Sequence, residues 1–230
     1  MPHRARFPFR ILVAALLALL LGACRGPEPL PADATPEFPA AWYADRHARG
    51  ERVLRVDSAQ SVLAVSVRRG GALARLGHDH VVSTRSLAGS VALDAGRADF
   101  YLDPEKLEVD DPTLRREAGL DAEVPQSAIA ATRRNMLEKV LDASRHPRVF
   151  LHAERLAPEG NWEFAITLHG VTRKLSAAVH IENTPSGAVA SGAFALRQSD
   201  FGITPFAVLG GALRVEDELA LSFRVLARDY

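Results

Sequence analysis

The chain has 230 residues, 28 of them basic and 28 acidic, and 47% are apolar. That length suits one β-rich domain with appendages, and the apolar share is enough for a sizeable core. The balanced charge speaks against a nucleic-acid partner, which would require a basic excess to neutralise phosphates.

Arg4, Arg6 and Arg10 form a positive opening, and Ile11 to Leu21 is an uncharged run of Ile, Leu, Val and Ala. The run is too short to span a bilayer comfortably but has the length of a signal-peptide core. Leu21-Gly22-Ala23-Cys24 follows at once. Its small residues let the chain extend into a peptidase site. The segment resembles a bacterial lipobox, in which the cysteine is diacylated and becomes the mature N-terminus. Each buried acyl CH₂ contributes about 0.8 kcal/mol to membrane binding. The alternative is an ordinary secretory signal with an incidental cysteine. Cys24 is the only cysteine, so no intramolecular disulfide forms, and once acylated it leaves no thiol nucleophile. Arg25, rather than Asp, follows it, which by resemblance to enterobacterial sorting rules favours the outer membrane. The expectation is an envelope lipoprotein held in the membrane through Cys24 and facing the periplasm. Removing residues 1–23 with their three arginines leaves 25 basic against 28 acidic residues, formally −3.

Pro27, Pro29, Pro31, Pro36 and Pro39 then favour extended polyproline geometry, the composition of a spacer. Trp42-Tyr43 and the charged stretch to Arg52 read as a short lead-in, about one helical turn docked on the domain. The expected organisation is a signal peptide over 1–23, a lipidated tether over 24–51 and a β-barrel domain over 52–230.

From Arg52 on, the apolar period is mostly two. Leu63, Val65 and Val67 alternate with Ala64, Ser66 and Arg68. Gly77-His78-Asp79-His80 follows and is the most unusual local feature. Imidazoles at i and i+2 of a strand share a face, which suits a metal or haem contact using His78 and His80. Two histidines are a weak metal signal, because zinc sites take three or four ligands. His152 and His169 add ligands only if the fold brings them near. The other reading is a turn held by Asp79, with the histidines facing solvent or capping a barrel.

Val82 to Leu93 and Ala98 to Leu102 are further strands, with Gly89 at a bulge or bend. Asp103 to Val124 is charged, carries Pro104 and Pro112, and reads as an irregular connection with short helical pieces. Ile129, Met136, Leu137, Val140 and Leu141 fall at helical spacing, which predicts a helix from Ser127 to Ala143 that packs on the barrel or closes its mouth. Trp162, Phe164, Ile166 and Leu168 form the next alternating stripe. Leu175, Ala177, Val179 and Ile181 follow after His169 and Gly170, and Thr184-Pro185-Ser186-Gly187 marks a turn. Leu219, Leu221, Phe223 and Val225 close the series. Alternation of this kind gives each strand one buried face, and several such strands at this length close into an antiparallel barrel that leaves no exposed edges.

Several elements also resemble, in order, the YceI family of lipid-binding proteins. Arg55-Val56-Asp57 before Ser61-Val62-Leu63 is similar to the family's opening, with Ala59-Gln60 where that opening has a histidine. Asn135-Met136-Leu137 through Leu141-Asp142-Ala143, then His146-Pro147, is similar to its helix and Pro-preceded strand. Leu168-His169-Gly170-Val171-Thr172-Arg173 and Arg197-Gln198-Ser199-Asp200-Phe201-Gly202-Ile203 resemble its two most specific motifs. The resemblance covers about residues 52–228. It implies an all-β fold with one helix, an extended lipocalin-like antiparallel barrel of about eight strands, holding a long isoprenoid such as a polyprenoid or an isoprenoid quinone.

An isoprenoid tail offers no hydrogen bonds, so its affinity comes from apolar area removed from water, at about 25 cal/mol per Å². Leu63, Val65, Trp162, Phe164, Ile166, Leu168, Val179, Phe194, Phe201 and Phe206 are the candidate walls. Ala188, Ala190, Gly192 and Ala193 are small enough to leave a void. His169 reads as structural beside Gly170, or as a head-group contact. Arg197 reads as an ion-pair partner of Asp200, or as a head-group contact. Phe201 and Phe206 rim the entrance or plug one end. No nucleophile elbow, phosphate-cradling loop or His-Glu-x-x-His run is present, so binding rather than catalysis is expected. The functional expectation is transport, storage or sequestration of the lipid. The rivals are a metal- or haem-linked protein using His78 and His80, and a ligand-free structural or interaction module. A homodimer stays open as a further partner.

Overall fold

A computed structural model describes residues 36–120, 122–156 and 160–229. The expected signal peptide, Cys24 and the first part of the expected tether lie outside the described residues. Thr35–Tyr230 forms one compact unit.

The period-two stripes become strands. In chain order these are β1 (Leu54–Val56), β2 (Val62–Val67), β3 (Arg69–Gly70), β4 (His80–Thr84), β5 (Ala88–Ala92), β6 (Arg97–Leu102), β7 (Glu108–Val109) and β8 (Val149–Arg155). They continue with β9 (Asn161–Leu168), β10 (Val171–Thr184), β11 (Gly187–Arg197), β12 (Ala207–Val208), β13 (Leu213–Val215) and β14 (Glu218–Asp229). Three pairs of short strands lie end to end. Both β1 and β2 run along β14, through Val56↔Ala227 and Leu63↔Phe223. Beside them lie β5 and β4, through Leu54↔Val91 and Leu63↔Thr84. Next come β6 and β7, through Val91↔Ala98 and Val82↔Val109. Then β8, β9, β10, β11 and β14 each form one stave, and β14 meets the first pair. The result is a closed antiparallel barrel of eight staves, each hydrogen-bonded to its neighbours in the chain. Full closure leaves no free edge at the seam.

Turn chemistry sets the register. His169 (φ 52°) and Gly170 (φ 75°) are the two residues between β9 and β10, and both lie in the left-handed region. That is the backbone of a type I′ hairpin turn, which glycine adopts freely and histidine tolerates. Gly89 lies within β5 at a close cross-strand approach rather than at a bulge. A Cβ there would sit 2.3 Å from the Asp99 carbonyl oxygen.

Val82 to Leu93 divides into two strands, because residues 85–87 leave the ladder where the stave bends. Asp103 to Val124 is irregular with short helical pieces, as its composition implies, and includes α2 (Pro112–Glu117). The expected helix appears as α3 (Gln126–Asn135), extended by a π turn over Met136–Val140. The Leu141 amide donates to the Met136 carbonyl at 2.8 Å, five residues back, which is the wide π spacing. Together α3 and the π turn cover one end of the barrel. A three-stranded sheet, ordered β12-β13-β3, stands at the same end.

The lead-in is longer than one turn. It forms α1 (Ala40–Ala48), with Tyr43 buried against the outside of the barrel. The Tyr43 hydroxyl donates to Asp99 Oδ2 at 2.7 Å, while Arg97 Nε lies 2.8 Å from the same oxygen and His152 Nδ1 lies 2.7 Å from Asp99 Oδ1. Burial pushes the Asp99 carboxyl up, but the bonds from Arg97, Tyr43 and His152 outweigh it and hold Asp99 below the ordinary carboxylate range. Burial and the same carboxylate push the Tyr43 hydroxyl well above the ordinary tyrosine value. Trp42 packs beneath Arg97, whose guanidinium carbon lies 4.3 Å from its ring centre.

Candidate ligand-binding cavity

The inward faces of the staves enclose two chambers that share Leu63 and Leu151 in their walls. The narrow chamber has a volume of about 70 Å³ and is walled by Trp162, Phe164, Val179, Phe194, Phe223 and Val225 among others. The wide chamber, under α3 and the π turn, has a volume of about 410 Å³. Val65, Ile166, Leu168 and Phe206 face it. Its volume falls in the range of sites that enclose small molecules.

Small residues shape the narrow chamber. Ala188 and Ala190 border it. Gly192 lies where a Cβ would come 2.8 Å from Phe223 Cζ, so an aromatic edge already occupies that space. Ala193 is exposed on the outer face and leaves no void inside. Phe164, Phe194 and Phe223 pack as a trio, with ring centres 5.6 to 6.3 Å apart. Trp162 Nε1 is buried with no hydrogen-bond partner.

Three other candidates lie elsewhere. Phe201 is 1% exposed and packs in the core behind the cavity, bordering neither chamber. His169, in the β9–β10 turn, meets the ring of His146 at 4.6 Å between centres, and neither chamber contains it. Burial, then the neighbouring His169, holds His146 below the ordinary histidine value. Arg197 is exposed and makes no ion pair with Asp200. The turn is braced instead by Asp217, which accepts from the Ser199 amide at 2.8 Å and the Ser199 hydroxyl at 2.5 Å. Gln198, buried beside Arg197, donates to the Glu216 carbonyl at 2.9 Å and borders the wide chamber.

His78 and His80 both face the wide chamber. His80 is committed on one side: Nδ1 lies 2.6 Å from Asp110 Oδ2. The Asp110 side chain is 0% exposed, and its other oxygen accepts from Arg115 at 2.7 Å and from the Val81 amide at 3.0 Å. Burial pushes this carboxyl up, but the bonds from His80, Val81 and Arg115 prevail and hold it below the ordinary range. Asp110 keeps a left-handed backbone, φ 63°, and its own amide donates to the Val81 carbonyl at 2.7 Å. A non-glycine residue persists in that region only when its surroundings over-determine it. Across the chamber rim, Thr132 Oγ1 on α3 stands 3.3 Å from His80 Nε2.

His152 pairs with Asp99 and His169 packs against His146, so neither joins His78 and His80. Among the described residues no three His, Cys, Asp or Glu side chains converge to hold a metal. The arrangement at His80 was not legible in the sequence. Its one available signal was Asp111-Pro112, a helix-start pair that caps α2 and fixes Asp110 just before it.

The family model for the YceI-like domain matches residues 54–227. None of the curated proteins matches the chain. A polyisoprenoid-binding domain from Saccharophagus degradans, implicated in plant cell wall breakdown, shares 10% identity over 77% of this chain and 98% of its own, with a TM-score of 0.55. BcnA of Burkholderia cenocepacia shares 13% identity over 74% of this chain and 98% of its own, with a TM-score of 0.53. At these identities the likeness is one of fold.

Proposed function

The chain belongs to the YceI-like domain family, and from that premise we propose that its barrel binds a long isoprenoid lipid, a polyprenoid or an isoprenoid quinone, as an envelope lipoprotein anchored through Cys24. The observation that carries this reading is the pair of apolar chambers meeting at Leu63 and Leu151. A compact ligand fits one chamber; a long flexible hydrocarbon fits both. The Saccharophagus degradans domain of similar fold is described as polyisoprenoid-binding, which supports the same cargo here. Tethering a lipid binder at a membrane surface suits carriage or sequestration of a molecule that water cannot carry.

Binding accounts for the site better than catalysis does. Thr132, His80 and Asp110 line up like a nucleophile, base and orienting acid. However, Thr132 lies inside α3, where neighbouring amides are spent on the helix and none is free to stabilise an oxyanion. The Asp110 carboxylate is also shared with Arg115, which weakens its pull on an imidazolium.

The test is organic extraction of the full-length protein purified from membranes, followed by mass spectrometry. An isoprenoid in stoichiometric amount is expected. An empty protein that also takes up no added polyprenol or quinone would overturn the cargo role. For the anchor, a radiolabelled fatty acid fed to cells should label the protein, and Cys24→Ser should abolish the label. Labelling that survives the substitution would reject Cys24 as the anchor.

A further inference from the structure

We infer that the wide chamber holds a dedicated site for the polar end of the cargo, built on His80 and Thr132, and that it takes a neutral hydroxyl or carbonyl rather than a phosphate. This rests on the lipid-cargo reading and specifies where that lipid's head lies.

The walls shared with the narrow chamber are hydrocarbon, whereas one sector of the wide chamber is polar: His78, His80, Thr132 and Asn135. A buried polar group is retained at such a position only with a partner. The protein supplies one through Arg115, Asp110 and His80 in series. Because the Asp110 carboxylate accepts, His80 Nδ1 carries a proton, and in the neutral imidazole Nε2 then presents a lone pair. The partner of Nε2 is the Thr132 hydroxyl at 3.3 Å, longer than a well-formed bond, and that hydroxyl can rotate. Together they form an acceptor beside a donor. An alcohol can donate to Nε2 and accept from Thr132. A quinone carbonyl can accept from Thr132.

Charge decides against phosphate. Arg115 is spent on Asp110, with further bonds to the Asp79 and Ala122 carbonyls. Arg69 donates to the Gly77 carbonyl and pairs with Asp79. Arg214 lies 3.8 Å from Glu216. The two arginines in the chamber wall thus already face carboxylates, Arg214 with Glu216 and Arg69 sharing Asp79 with Arg68, while Lys139 on the π turn lies over the Phe206 ring; a phosphate beside His80 would have to compete with those carboxylates and with Asp110 for its counter-charge.

The experiment measures affinity of the full-length protein in detergent for four probes that share one twenty-carbon geranylgeranyl tail. One ends as the plain hydrocarbon, the others in an alcohol, a benzoquinone or a monophosphate. The alcohol and the quinone should bind roughly five- to tenfold more tightly than the hydrocarbon. His80→Phe should bring that ratio to about one, a change in discrimination between heads that general loss of structure, which lowers all affinities together, would not produce. Thr132→Val, on the helix surface, repeats the test without disturbing Asp110, should His80→Phe fail to fold. Equal affinity for all four heads, a preference that survives both variants, or a preference for the phosphate overturns the head-group site. Failure of the wild type to take up even the hydrocarbon removes the cargo reading itself, and this site with it.

Discussion

The two chambers have common walls at Leu63 and Leu151 but are built by different means. The narrow one is the product of strand alternation: every second side chain of β9, β10, β11 and β14 points inward, and three phenylalanines set its bore. The wide one lies at the end where two staves continue as the short strands β2 and β4. Helix α3, the π turn and the β12–β13 hairpin cover it. Periodicity thus supplies a greasy tube, while the covering elements supply width and polarity. If so, damage to the narrow chamber should act on tail length, and damage to the wide chamber on the head and on stability.

The largest expected effect is at Asp110. Asp110→Ala leaves Arg115 buried without its counter-ion and His80 without its orienting partner. Removing one member of a buried pair costs about 3–5 kcal/mol, readable as a lower urea midpoint with unchanged slope. A cost under 1 kcal/mol would mean that water reaches this pair freely, and the contrast between chambers would lose its polar half. Acid probes the same group in the wild type. Asp110 and Asp99 both have carboxyls held below the ordinary value of 3.8 in the folded protein. A depressed folded value means the unfolded chain binds protons first as pH falls. Their stabilisation is therefore complete above the ordinary carboxylate range and is lost as pH drops through it towards the folded values. Thermal melts across that window should fall less steeply for Asp110→Ala than for the wild type.

How much of this the sequence disclosed follows the same division. Trp162, Phe164, Ile166 and Leu168, and the last stripe from Leu219 to Val225, announced strands because alternation is a local property of the chain. The helix was legible from Met136, Leu137, Val140 and Leu141, but its π turn was not, since that depends on which carbonyl the Leu141 amide meets. The sheet of β3, β12 and β13 has strands of two or three residues, too short to carry a period. His80 was visible as an oddity. Its partner lies 30 residues away, in a charged stretch that reads as an irregular connection, so no spacing rule could join them. The pairing of Arg197 with Asp200 was a plausible local contact that lost to Asp217, which arrives from the far side of the β12–β13 hairpin.

A middle-sized effect tests the tail. Ala190→Phe places a ring in the narrow chamber, where Ala190 now borders the void. Overfilling a packed interior costs about 1–3 kcal/mol, so the protein should still fold. Its affinity for a forty-carbon polyprenol should fall by more than tenfold, while a fifteen-carbon prenol, short enough for the wide chamber, should bind nearly as before. Equal loss for both lengths would show that the chambers act as one space.

The smallest expected effect, at Trp162, asks whether the narrow chamber is as indifferent to polarity as its walls imply. The indole Nε1 is buried there without an acceptor. An unpaired buried donor costs about 1–3 kcal/mol, and Trp162→Phe removes it. The same change removes part of a large core side chain, which costs stability through lost contacts and a residual gap. The two terms oppose each other, so the delipidated variant should lie within about 1 kcal/mol of the wild type in urea unfolding. The informative comparison is with protein that retains its cellular lipid. If the substitution remains near neutral there, the lipid offers Nε1 nothing and the narrow chamber holds only tail. A cost that appears only when lipid is present would mean that an oxygen of the cargo reaches Trp162, placing the head at the opposite end from His80 and reversing the orientation argued for the bound molecule.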